Sequence, residues 1–101
     1  MNKIYNLEEI KNILAPVFLV NPVHRAVLFG SYAKDMATNN SDIDIVIDSQ
    51  GQLLNINFYG LLEEITEKLN KKIDLFELSE IKENSPIYNA IQKEGVILYA
   101  D

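Results

Sequence analysis

The chain contains no cysteine, which excludes both a disulfide framework and a thiolate metal site. It has no apolar run near the roughly 20 residues that a membrane-spanning helix needs. The opening Met1-Asn2-Lys3-Ile4-Tyr5-Asn6 does not have the form of a signal peptide, so the cytoplasm is the expected compartment and no membrane partner is expected. Positive charge is scarce: nine Lys and Arg stand against fifteen Asp and Glu, a net charge of −6. The basic residues are scattered, Lys71-Lys72 being the one adjacent pair. A chain that binds nucleic acid directly usually carries a basic patch or stripe to neutralise phosphates, and this balance argues against that task. Histidine occurs once, at His24, just before a strand-like segment; with no partner in sight there, a structural or exposed position is expected. There is no internal repeat, low-complexity tract or linker.

With 101 residues, 48% of them hydrophobic, the chain is expected to form a single domain over 1–101 with one real core. The stretch around which it is organised runs from Gly30 to Asp48. Before it, Arg25-Ala26-Val27-Leu28-Phe29 is short, apolar and β-prone, and it breaks at Gly30-Ser31. At its far end Ile43, Ile45 and Ile47 alternate with Asp42 and Asp44. Period-2 alternation reads as a strand with the isoleucines on one face and the aspartates on the other. Two strand steps separate the carboxylate stems by roughly 6.5 Å, a spacing at which they can converge on one or two hard cations. Between strand and loop, Gly30 followed by a short helical turn at Ser31 to Lys34 would present free N–H groups and a hydroxyl, a setting that suits phosphate. A lone Asp-x-Asp is common in solvated strand ends, so the weight lies in the combination.

The rest of the chain reads as alternating helices and strands. Asn6 with Glu9 makes a capping-box-like start. Ile10, Ile13, Leu14, Val17 and Phe18 share a helical face, with Pro16 expected to kink that helix or end its regular bonding. Asn21-Pro22 marks the turn into the strand at Arg25 to Phe29. Met36 to Ser41 is a polar loop, and Ser49-Gln50-Gly51 stops the strand at Ile43 to Ile47. Phe58, Leu61, Leu62, Ile65 and Leu69 trace a second helical stripe. Lys72 to Leu78 is a third strand, and Ser85-Pro86 starts a helix that turns Ile87, Ala90 and Ile91 inward and ends at Gly95. Val96 to Tyr99 closes as a fourth strand. The order is αβαβαβαβ: an α/β (α+β) fold with a small mixed sheet of about four strands flanked by helices.

Gly-Ser, ten residues, then Asp-x-Asp resembles the signature of the nucleotidyltransferase superfamily whose palm is of the DNA polymerase β type. Within it, the chain is similar to the minimal nucleotidyltransferases (MNT) of bacteria and archaea, from the helix before Val27 to the closing Glu94-Gly95-Val96-Ile97-Leu98-Tyr99. The resemblance implies a palm-like fold, ATP as substrate and Mg2+ (two ions) as cofactor. Asp42 and Asp44 would be metal ligands. Asp74, a charged residue inside an otherwise apolar strand where it is unfavourable and costly to bury, matches the third carboxylate. Its implied role is to complete the metal site and accept the proton of the attacking hydroxyl. Gly30 and Ser31 would hold the triphosphate, with Ser31 free to act as a helix N-cap as well; Lys34 lies within reach of it, and Tyr32 either flanks the nucleotide or packs. Asp35 stands where the family usually has glycine. Aspartate tolerates positive φ, so the turn should survive, while a carboxylate near a triphosphate is repulsive. Asp48 lies farther along the same face and is left out of the site.

Larger relatives add domains that bind an acceptor; this chain stops just past its fourth strand and is expected to lack one. The resemblance implies a hetero-oligomeric partnership with a helical HEPN-domain ribonuclease toxin, which the chain would serve as a type VII-like antitoxin, transferring AMP to a tyrosine of the partner. The acidity suits a basic RNA-cleaving partner, whose association it would speed. Two alternatives stand beside it. One is nucleotidyl transfer to a small hydroxylated molecule such as an aminoglycoside; the other is a non-catalytic module that neutralises its partner by binding.

Overall fold

A computed structural model of the chain describes residues 3–101. Its elements are α1 (Leu7–Leu19), β1 (Arg25–Phe29), β2 (Ile43–Asp48), α2 (Ile56–Leu69), β3 (Ile73–Glu77), a 3-10 turn (Leu78–Glu80), α3 (Pro86–Glu94) and β4 (Val96–Ala100). The four strands form one mixed sheet in the order β3-β2-β1-β4. β1 pairs antiparallel with both β2 and β4, and β2 pairs parallel with β3. A parallel pair needs a crossover of a dozen residues or more, and α2 supplies it.

Local chemistry accounts for the helix ends. The Asn6 side chain accepts from the Glu9 N–H at 2.8 Å while the Glu9 carboxylate accepts from the Asn6 N–H at 2.9 Å, the reciprocal capping box expected at the start of α1. Ser85 caps α3 through the Tyr88 N–H, with Pro86 in its first turn. Pro16 does not end α1, which continues three residues beyond it to Leu19. Ile87 lies at the exposed start of α3 and does not face inward, whereas Ile91 is buried and Ala90 packs against it.

The sheet buries its faces against different helices. Ile43, Ile45 and Ile47 join Ile10, Leu14, Phe18, Leu61, Ile65 and Leu69 in the main core beneath α1 and α2. On the opposite face Val27, Phe29 and Val46 meet Ile91 of α3, with Phe76 alongside. Covering both faces explains why β1 reads as a continuous apolar run. One buried polar group ties the sheet's lower end: Glu77 accepts from the Ser49 hydroxyl and N–H and from the Ser79 N–H, and the Ser49 hydroxyl in turn accepts from Leu53 N–H. A buried carboxylate is tolerated when donors surround it in this way.

The short helical turn expected at Ser31 to Lys34 forms as a single turn and adds no helix between β1 and β2, so the order is αββαβαβ and not αβαβαβαβ. Ala33 and Lys34 N–H both return to Gly30 O, and Met36 N–H returns to Ser31 O. These mixed spacings close one loop without propagating an α-helix, which needs successive i to i−4 bonds.

Candidate active site

The hairpin register brings the two halves of the motif together. Phe29 pairs with Asp44, so Gly30 leaves β1 beside the Asp44 side chain. Gly30 has φ +75, and a Cβ built on it would run into the Asp44 carboxylate. The backbone conformation favours glycine here, and a Cβ would in addition displace the Asp44 carboxyl group from its place. The turn that follows carries Ser31, half-buried, and leaves the Ser31 and Tyr32 N–H groups without a backbone acceptor among the described residues. Asp35 adopts φ 59, so the left-handed position survives without glycine. Below it the loop closes on itself through Thr38 and Ser41 (Thr38 N–H to Ser41 Oγ, 2.8 Å), and Lys71 Nζ donates to Asn39 O at 3.2 Å.

The carboxylates come from neighbouring strands. Asp44 of β2 is the register partner of Asp74 of β3, on strands about 4.8 Å apart. Alternation places both on the face away from the isoleucines. Burial pushes Asp44 up from 3.8 to about 6, the hydrogen bond its protonated form makes to Asp74 adds to this, and like-charge repulsion from Asp74 and then Asp42 follows. Asp42, on the same face at the strand's mouth, is drawn toward Lys72, whose Nζ lies 3.4 Å from its Oδ2. Among the described residues no three acidic or histidine side chains already converge as a cation cage: two are together, and the third leans to a lysine. The donor set nonetheless fits a hard divalent cation. It consists of carboxylate oxygens alone, and a cation held there would favour the charged form of Asp44 that burial and the neighbouring Asp74 and Asp42 disfavour.

Lys34 is turned toward the end of α3, with its Nζ 3.8 Å from Glu94 Oε2. Tyr32 is core, packed with Leu28 and the α1 residues. Asp48 accepts from Gln50 N–H at the far end of β2, and His24 meets Asp101 at 3.1 Å; neither belongs with Asp44 and Asp74. Two features were not anticipated from the sequence: the fit of Gly30 over Asp44, and Lys72 beside Asp42. The second had a faint signal, since Lys72 immediately precedes the strand that carries Asp74.

Residues 8–101 match the family described as polymerase beta, nucleotidyltransferase. A Methanocaldococcus jannaschii chain to which protein adenylyltransferase activity is ascribed is 36% identical over 77 residues, which is 75% of this chain and 82% of that one. A second from the same organism, similarly described, is 31% identical over 88 residues, covering 87% and 86%. Among solved structures, a chain of a toxin–antitoxin complex with AMP-PNP superposes with a TM-score of 0.74 at 25% identity, covering 96% of this chain and 75% of its own. A chain from the complex of a tri-AMPylated Shewanella oneidensis HEPN toxin with its MNT antitoxin gives 0.72 at 21% identity over 94% and 73%, a likeness of fold. With the family's description spanning residues 8–101 and archaeal relatives above 30% identity, this chain belongs to the polymerase β type nucleotidyltransferase family.

Proposed function

We propose that this chain, acting as one domain in the cytoplasm, transfers AMP from ATP to a tyrosine hydroxyl of a HEPN-domain toxin and serves as that toxin's antitoxin. The observation that carries the reading is the Asp44–Asp74 pair set against the Gly30-Ser31 turn, in a chain whose archaeal relatives are described as protein adenylyltransferases. The toxin–antitoxin chains of the same fold, one with AMP-PNP and one beside an AMPylated toxin, support the choice of nucleotide and partner.

Ser31 and the free N–H groups of its turn bind the β- and γ-phosphates, and Lys34 swings from Glu94 to join them. Asp74 takes the proton of the acceptor hydroxyl. The oxygen then bonds to the α-phosphorus as the bond to the bridging oxygen breaks, and pyrophosphate leaves with that electron pair. AMP stays on the acceptor as a phosphodiester. Magnesium held by Asp42, Asp44 and Asp74 would supply charge neutralisation on the phosphates and acidify the acceptor hydroxyl. Asp42 must leave Lys72 to take part, and Lys72 is then free to face the nucleotide.

The test is the intact mass of the HEPN partner after incubation with this protein, ATP and magnesium, beside an Asp42→Ala/Asp44→Ala control. One or more added AMP units, absent in the control, is the expected result. A stable complex with no mass change would replace the enzyme with a neutralising module. Neither complex nor mass change would return a small hydroxylated acceptor to first place.

A further inference from the structure

We infer that the apolar groove between the edge of β3 and the start of α2 is where the acceptor protein docks, through an apolar side chain ringed by lysine or arginine. The inference rests on the proposed transfer to a protein, and it adds where that protein sits. The groove is a cavity of about 430 Å³ whose walls include Leu54, Phe58, Tyr59, Phe76 and Glu80. Two exposed apolar residues of the first turn of α2 belong to this surface: Tyr59, in the lining and 65% exposed, and Ile56, next to lining residue Asn55 and 81% exposed. Clustered exposure of this kind marks interaction sites.

Charge selects the occupant. Ile56, Tyr59 and Glu63 fall at i, i+3 and i+7, on one exposed face of α2, so the apolar patch runs directly into acid. No Lys, Arg or His stands between Gln50 and Glu67, or between Ile73 and Ile81. Among the described residues no ion pair engages Glu63, Glu64, Glu67 or Glu80. A surface so uncompensated repels RNA, an anionic membrane and a second copy of itself, and complements a basic rim around an apolar anchor.

Position ties the groove to the chemistry. β3 is an edge strand, and Phe76 stands two residues beyond Asp74 on the same face, roughly 6.5 Å along the strand. The groove thus shares with the carboxylates the strand β3, whose Phe76 lines it and whose Asp74 belongs to the site. The wall is also preformed: the Ser49–Glu77 hydrogen bonds hold the segment from Ser49 to Leu53 that leads into α2, so less order has to be imposed on binding. The first turn of α2 is uncapped, with no side-chain bond from Asn55, which leaves N–H groups beside the patch for a carbonyl of the partner.

The experiment co-purifies the chain with the HEPN partner and measures their affinity by calorimetry for wild type, Ile56→Lys, Tyr59→Lys, Glu63→Lys/Glu80→Lys and Asp44→Asn. Circular dichroism confirms that each variant is folded, and AMP-PNP binding checks the patch variants a second way. The first three variants are expected to weaken the complex at least about tenfold, as loss of a buried anchor does, and wild-type affinity to fall with added salt. Asp44→Asn is expected to bind like wild type while losing AMP transfer. Patch variants that bind and are modified as before overturn the inference and leave the transfer intact. A complex lost in the patch variants with no AMP transfer by wild type upholds the docking surface and sinks the transferase reading. Absence of any complex, or a homodimer that Ile56→Lys dissolves, overturns the inference.

Discussion

Replacing Asp44 by asparagine should make the metal-free protein more stable while abolishing transfer. The side chain keeps its shape and gains a donor toward Asp74, while the cost of burying a charge there, and its repulsion by Asp74 and Asp42, disappears. A folded-state value of about 6 against the ordinary 3.8 corresponds to about 3 kcal/mol at about 1.4 kcal/mol per tenfold change in proton affinity. Asp44 is only half-buried, and screening by water reduces the expected gain to about 1–2 kcal/mol. The sign follows from proton linkage. Asp44 holds its proton to higher pH in the folded chain than in the unfolded one, so between about pH 4 and pH 6 the folded state binds more protons. Its contribution to stability is therefore lost as pH rises through that window, and the cost is fully in place at pH 7. Urea denaturation of both proteins in chelator should show the asparagine variant ahead at pH 7, by roughly 5–10 °C in a matching melt for a domain of this size. The gap should close toward pH 4. Magnesium should also narrow it at pH 7, by binding the wild type alone. An asparagine variant that is less stable at pH 7, or a gap that does not change with pH, would refute the reasoning.

Gly30→Ala forces a Cβ into the Asp44 carboxylate at positive φ; a loss of about 1–3 kcal/mol is expected by denaturation, with transfer falling further than stability explains. Ser49→Ala removes two of the hydrogen bonds centred on the hydroxyl between Glu77 and Leu53, and should cost about 2–4 kcal/mol, measured by the urea midpoint. Asp35→Gly relaxes a non-glycine residue at φ 59 and removes a carboxylate near the phosphate turn. Stability should change by less than about 1 kcal/mol, while single-turnover AMP transfer should quicken; slower transfer would show that Asp35 aids the reaction.

Much of this protein was legible in one dimension because its signals are local. The capping box at Asn6 and Glu9 involves residues three apart, and the Ser85-Pro86 start of α3 involves neighbours. The alternation from Asp42 to Ile47 fixes which side of β2 is core whatever the strand pairs with, since successive side chains must point to opposite faces. The errors also have local causes. The helical turn at Ser31 to Lys34 does not extend into an element of its own, so β2 follows β1 with no helix between them. Ile87 sits in the first turn of α3, before the helix reaches the sheet, so its periodicity could not bury it.

The sequence by itself determined the strand faces, the helix caps and the family, because each depends on residue types at short, fixed spacing. Only the tertiary structure decided which carboxylates meet. Asp44 and Asp74 are 30 residues apart and become neighbours through the parallel register of β2 and β3. Asp42, two residues from Asp44, turns to Lys72. The same pairing showed why Gly30 is glycine: the Asp44 side chain occupies the space its Cβ would take. The apolar groove beside β3 had no one-dimensional signal, because it joins the start of α2 to an edge strand that only the folded sheet brings alongside it.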